Sequence, residues 1–69
     1  MFLKVNMLYE KGLDTYCGLI NSETIESIEP IEEGEEDFDR GARTTINFIN
    51  SRCDITETIF QIAERLKAV

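Results

Sequence analysis

From Phe2 to Tyr9 the side chains alternate, with Leu3, Val5, Met7 and Tyr9 on one side and Phe2, Lys4, Asn6 and Leu8 on the other. This is the pattern of a half-buried strand whose first set suits a core. Phe2 and Leu8 on the second face call for partial cover by another element or subunit. Glu10, Lys11 and Gly12 read as a turn, with the glycine supplying any positive φ. A second strand follows from about Asp14 to Ile20 and closes a hairpin. Cys17 and Leu19 fall on one of its faces, Tyr16 and Ile20 on the other. Gly18 marks a bulge or a close approach of backbone. Around Ser22–Ile25 the offset of three between Ile25 and Ile28 breaks the alternation, so one turn and then a strand over residues 26–30 are predicted, ending at Pro30. Thr44, Ile46 and Phe48 alternate with Thr45, Asn47 and Ile49 in the clearest later strand. Asn50 and Ser51 turn the chain, and Arg52–Ile55 return as a short fifth strand.

The period then changes. Ile55, Ile59, Ile62, Leu66 and Val69 recur at spacings of four, three, four and three, which gathers them on one side of a helix. Glu57, Gln61, Glu64 and Ala68 fall on the opposite side. Asp54 with Glu57 resembles a capping box, with Thr56 as a competing cap, and Arg65 and Lys67 favour the C-terminal end of the helix dipole. Phe60 stands about 100° from Ile59 and lies on a flank of the stripe. A helix this short needs a partner surface. Val5, Cys17, Ile28 and Phe48 are the residues expected beneath Ile59, Ile62 and Leu66. The fold class is α+β: a small, bent antiparallel sheet of four to five strands followed by one C-terminal amphipathic helix.

Charge changes the picture most in the interval between the third and fourth strands. The net charge of the 69-residue chain is −7, but nine acidic residues and no basic ones lie between Glu23 and Asp39. Elsewhere five acids face seven bases. Glu32 to Gly41 contains Phe38 among polar residues, with Gly34 and Gly41 as breakers. It reads as a mobile loop whose length suits either a binding loop or a disordered one. The chain is thus a single domain, residues 1–69, with an acidic loop at about 31–42.

The chemistry that this sequence excludes is as informative. It has no histidine, and its carboxylates lack the pocket that would set their pKa values apart, so no catalytic residues are expected. The acidic run lacks the ligand spacing of an EF-hand loop, and two cysteines without histidine do not complete a structural zinc site. No metal and no cofactor are expected. Cys17 and Cys53 read as small buried thiols of a cytoplasmic protein. No apolar run is long enough to span a bilayer. The acidic strip would repel a phosphate backbone, and the scattered bases match no nucleic-acid reader, so neither a membrane nor direct nucleic-acid binding is expected. Arg40, Arg43 and Arg52 could gather at one end of the sheet to receive a nucleotide-like anion between subunits, or could simply offset the adjacent acids.

What remains is protein binding. Glu32, Glu33, Glu35, Glu36, Asp37 and Asp39 form a negative surface around Phe38 that would be steered to a basic protein partner. Phe60 offers a second apolar contact. Such a strip could imitate the phosphate track of nucleic acid and block a host enzyme, as small phage-type inhibitors do. A chain with so small a core is often helped by oligomerisation, and a homodimer is expected.

The order of signals also resembles the FlbD family of small flagellar and swarming-motility proteins, and similar short chains are encoded by phages. The similar features are the N-terminal apolar strand, Asn21-Ser22-Glu23-Thr24-Ile25-Glu26-Ser27-Ile28-Glu29-Pro30, then Thr45-Ile46-Asn47-Phe48-Ile49-Asn50, and the short strand running into Thr56-Glu57-Thr58-Ile59. The first turn lacks the Asn-Gly usual in that family, and the acidic loop is longer. The resemblance implies a motility regulator and no catalytic residues.

Overall fold

A computed structural model describes residues 1–67. It contains a five-stranded antiparallel open sheet in the order β2-β1-β5-β4-β3, with β1 Phe2–Leu8, β2 Thr15–Asn21, β3 Ser27–Pro30, β4 Thr44–Asn47 and β5 Arg52–Ile55. A single helical turn, α1, spans Glu36–Asp39, and the C-terminal helix α2 spans Ile59–Lys67. No helix among the described residues is long and apolar enough to cross a membrane.

The hairpin forms as its alternation predicts. Leu3 faces Ile20, Val5 faces Gly18 and Met7 faces Tyr16 across the β1–β2 pair. Gly12 at φ 88° makes the turn that other residues rarely adopt. Gly18 marks a close approach, not a bulge, because a Cβ there would stand 2.7 Å from the Met7 sulfur. A 3-10 turn at Ser22–Thr24, capped by the Asn21 side chain on the Glu23 N–H, leads into β3. Pro30 closes β3 on the sheet edge, where its missing N–H costs no ladder bond. Phe48 N–H donates to the Ser51 carbonyl (2.8 Å) and turns β4 into β5.

Leu3, Val5, Ile20, Ile46, Ile55 and Ile62 form the core, with Met7, Ile25, Ile28, Phe48, Cys53 and Leu66 packed around it. Paired residues of an antiparallel sheet share a face, so these side chains define an inner face covered by α2. Cys17 belongs to the other face and is exposed, which corrects its predicted place beneath the helix. Gly18, without a side chain, concealed which parity of β2 faces inward; Ile20 settles it. Tyr9 is likewise exposed, and stacks at a tilt on Tyr16 with ring centroids 4.6 Å apart.

The C-terminal helix starts later than the apolar spacing predicts. Ile55 is a fully buried strand residue, and the helix cap is Thr58. Thr58 Oγ1 accepts from the Gln61 N–H (3.2 Å) while Gln61 Oε1 accepts from the Thr58 N–H (2.8 Å), a reciprocal capping box. Val69 and Ala68 lie outside the described residues.

Glu57, released from the helix, is buried instead of solvent-facing. Its two carboxylate oxygens accept the Asn6 N–H at 3.1 and 3.0 Å, and its carbonyl accepts the buried Thr44 hydroxyl at 2.7 Å. Arg65 on α2 lies 3.5 Å from the carboxylate and donates to the Lys4 carbonyl. Strand β5 stops opposite Met7, so β1 would otherwise lack a partner on this side. The Glu57 carboxylate takes the place of the next strand residue. Replacing Glu57 with alanine is expected to destabilise the domain by about 2 kcal/mol, the size of a hydrogen bond to a charged group. Glu57→Gln keeps an acceptor and should cost about half as much. Chemical denaturation of the two variants checks this; equal losses would contradict it.

Candidate partner-binding surface

Segment 31–43 is tied to the sheet at both ends. Ile31 N–H donates to the Arg43 carbonyl (3.0 Å), and Arg43 N–H donates to the Ile55 carbonyl (2.9 Å), continuing the two ladders past β3 and β4. Between these points the chain is not a plain loop. Gly34, at φ 102°, lets the chain reverse, with Glu35 N–H on the Glu32 carbonyl and Glu35 Oε2 accepting the Glu32 N–H at 2.6 Å. Turn α1 follows. It ends in a Schellman motif, with Gly41 N–H on the Phe38 carbonyl (3.0 Å) and Ala42 N–H on the Asp37 carbonyl (3.1 Å). Gly41 supplies the left-handed residue at φ 102°, and Ala42 is fully buried behind it.

Two arginines fasten this turn. Arg40 pairs with Asp37 at 2.9 Å, and its guanidinium also donates to the Gly12 carbonyl (2.8 Å) and to the Tyr9 carbonyl, which holds α1 against the hairpin turn. Arg43 donates to the Phe38 and Ala42 carbonyls, both at 2.9 Å, and its guanidinium carbon lies 3.8 Å from the centroid of the Phe38 ring. A planar cation over an aromatic face is attractive, and here it covers a half-buried ring. Phe38 is therefore a footing of the turn, in contact with Arg43.

The predicted surface residues divide accordingly. Glu32, Glu33, Glu35, Glu36 and Asp39 are exposed, and among the described residues none of them has a cationic partner within salt-bridge distance. Asp37 is half-buried and neutralised by Arg40. Phe60 is 79 % exposed at the start of α2. Among the described residues no three carboxylates or thiols converge to hold a metal ion. A concavity of about 500 Å³ opens between the hairpin turn and α1, lined by Leu8, Tyr16, Asp37, Arg40, Arg52 and others. Arg52 is exposed there, whereas Arg40 is already engaged by Asp37 and two carbonyls. Cys53, also on its rim, has its thiol pushed above the usual range by burial and then by the Asp54 carboxylate.

The predictive signals for these features were uneven. The carboxylates were visible as a charge run. The Arg40 anchor was not, because its carbonyl acceptors, Gly12 and Tyr9, lie 28 and 31 residues away, which no local pattern encodes. The Thr58–Gln61 box, by contrast, is a readable threonine-x-x-glutamine signal. No protein family, no curated protein and no solved structure matches the chain.

Removing the Arg40 anchor should loosen the turn without unfolding the sheet. In Arg40→Ala, cleavage by a glutamate-specific protease within residues 32–36 is expected to speed up by about tenfold, as a local opening made easier by about 1.4 kcal/mol would produce. Global thermal unfolding should move only slightly. An unchanged cleavage rate would show that the arginine does not hold the segment.

Proposed function

We propose that this chain is a non-catalytic protein-binding module that engages a basic surface of another protein through the acidic segment between β3 and β4. The observation that carries the reading is a set of carboxylates on Glu32, Glu33, Glu36 and Asp39 that stand in solvent without cationic partners among the described residues, on a turn fastened by Arg40 and Arg43. Like charges held close together repel one another and weaken the free protein slightly. A cationic partner relieves that repulsion and is steered towards the segment from a distance. Because the turn is already formed, little conformational entropy remains to be lost on binding.

The partner chemistry follows from the same surface. A basic groove that normally receives a phosphate backbone, or a basic catalytic site, offers the complementary field. The module would act there as an inhibitor of phage type, imitating the charge of nucleic acid without binding it. Phe60, exposed on α2, is a further apolar contact for such a partner. The same reading includes self-association into a homodimer, supported by the large apolar side chains left in the open, among them Phe2 and Leu19.

The test uses the partner captured from the natural host and its association rate with two proteins: the wild-type chain and the combined variant Glu32→Gln, Glu33→Gln, Glu36→Gln, Asp39→Asn. Glu35 and Asp37 are spared because they bond within the turn. Association of the variant is expected to slow by at least about tenfold at low ionic strength and to lose most of its salt dependence. Equal rates for the two proteins at low and high salt would remove the acidic segment from the function.

A further inference from the structure

The two edges of the sheet are built differently. At one edge β3 is short, carries Glu29, and ends in Pro30. These are devices that discourage another strand from pairing. At the other edge β2 runs for seven residues, Thr-Tyr-Cys-Gly-Leu-Ile-Asn, with no charge and no proline, and among the described residues pairs only with β1. The backbone groups it leaves open can be assigned. The Ser22 N–H donates to the Met1 carbonyl (2.8 Å) and the Tyr9 N–H to the Asp14 carbonyl (3.4 Å). Antiparallel ladders bond at every second pair, so Ile20, Gly18 and Tyr16 bond to Leu3, Val5 and Met7. The N–H and C=O groups of Thr15, Cys17, Leu19 and Asn21 therefore point away from the sheet.

We infer that β2 is a self-pairing edge, and that two copies of this chain join through antiparallel β2 strands about a two-fold axis at Gly18. The inference rests on the homodimer included in the function proposed above and identifies its interface. In this register Cys17 of one copy faces Leu19 of the other and Thr15 faces Asn21, so every outward residue of the strand meets another outward residue. The ladder ends at Asn21, whose carbonyl already accepts the Thr24 hydroxyl at 2.8 Å. A shift of the axis to Cys17 or Leu19 would leave part of the strand unpaired.

The side chains fit the same register on both faces. The outer face is polar over β3, β4 and β5, where Ser27, Glu29, Thr45, Asn47, Arg52 and Asp54 lie. Over the hairpin it is mixed, with Phe2 65 % and Leu19 67 % exposed beside Lys4, Asn6 and Thr15. Pairing brings the two Leu19 side chains against the two Cys17 side chains across the axis. On the inner face Tyr16, partly exposed, would stand opposite Ile20 of the other copy, with the Met7 side chain filling the space over Gly18 at the centre. Charge permits the approach. β2 itself carries no charge, and the nearest carboxylates in the chain, Asp14 and Glu23, flank the paired residues 15–21 at its two ends. Because the sheet is C2-symmetric about this axis, the contact closes on itself and does not propagate.

Sedimentation equilibrium of the wild-type chain and of Leu19→Lys tests the interface. The wild-type chain is expected to be dimeric. Leu19→Lys, which places charge at an exposed position opposite Lys4 of β1, should raise the dimer dissociation constant by at least about tenfold. A second variant reads the register directly. In a Cys53→Ala background, Leu19→Cys should form a disulfide-linked dimer on mild oxidation, while the background protein alone, with Cys17 displaced from its own copy, should not. A monomeric wild-type chain would overturn both the homodimer and this interface. A dimer that survives Leu19→Lys and does not cross-link through Leu19→Cys would leave the homodimer standing and overturn the β2 interface. Cross-linking of the background protein through Cys17 alone would overturn the register.

Discussion

The buried carboxylate of Glu57 joins parts of the fold that the backbone alone leaves apart. Strand β5 reaches β1 at one residue pair, and the chain then turns away towards α2. At that point Thr56 N–H donates to the Asn6 carbonyl (3.0 Å) and the Glu57 side chain receives the Asn6 N–H. The Glu57 carbonyl receives the Thr44 hydroxyl, and Arg65 closes the group from the helix. One residue thereby connects β1, β4, the end of β5 and α2. A carboxylate so far from water is stable only with its oxygens engaged, and here they are: an amide on one side and a guanidinium on the other. Hydrophobic burial of Ile46, Ile55 and Ile62 drives the layers together. The Glu57 group sets where the hairpin sits relative to the remainder of the sheet.

That placement governs both candidate surfaces. The hairpin turn supplies the Tyr9 and Gly12 carbonyls that anchor Arg40, so the acidic turn depends on the hairpin's position. The same hairpin carries β2 to the outer edge of the sheet. One edge strand, β3, carries Glu29 and ends in Pro30, whereas the other, β2, is uncharged and open.

Much of this architecture was legible in the residue pattern. The strands were visible because alternation in β1 and β4 is regular and because Gly12, Pro30 and the Asn50–Ser51 pair punctuate the chain. The start of α2 was displaced because Ile55 satisfies two periods at once: it lies four residues before Ile59 and also alternates with Cys53 in β5. Glu57 shared the spacing of a solvent-facing helical residue, and nothing local reveals that its partner is the amide of Asn6, 51 residues earlier. The inward face of β2 was obscured by Gly18. For the acidic segment, charge was plain from the residues, whereas its anchoring by Arg40 depends on carbonyls that only the folded hairpin brings near.

The role assigned to Glu57 can be read at a single amide. Asn6 is an exposed residue whose N–H faces no strand, so without the carboxylate it would exchange with solvent freely. Native-state hydrogen exchange followed by NMR, residue by residue, is the direct measurement. The account predicts that the Asn6 amide is protected to the same degree as the neighbouring Val5 and Met7 amides, which bond to β2, and that Glu57→Ala removes protection at Asn6 first. An Asn6 amide that exchanges as fast as those of the hairpin turn in the wild-type chain would contradict it.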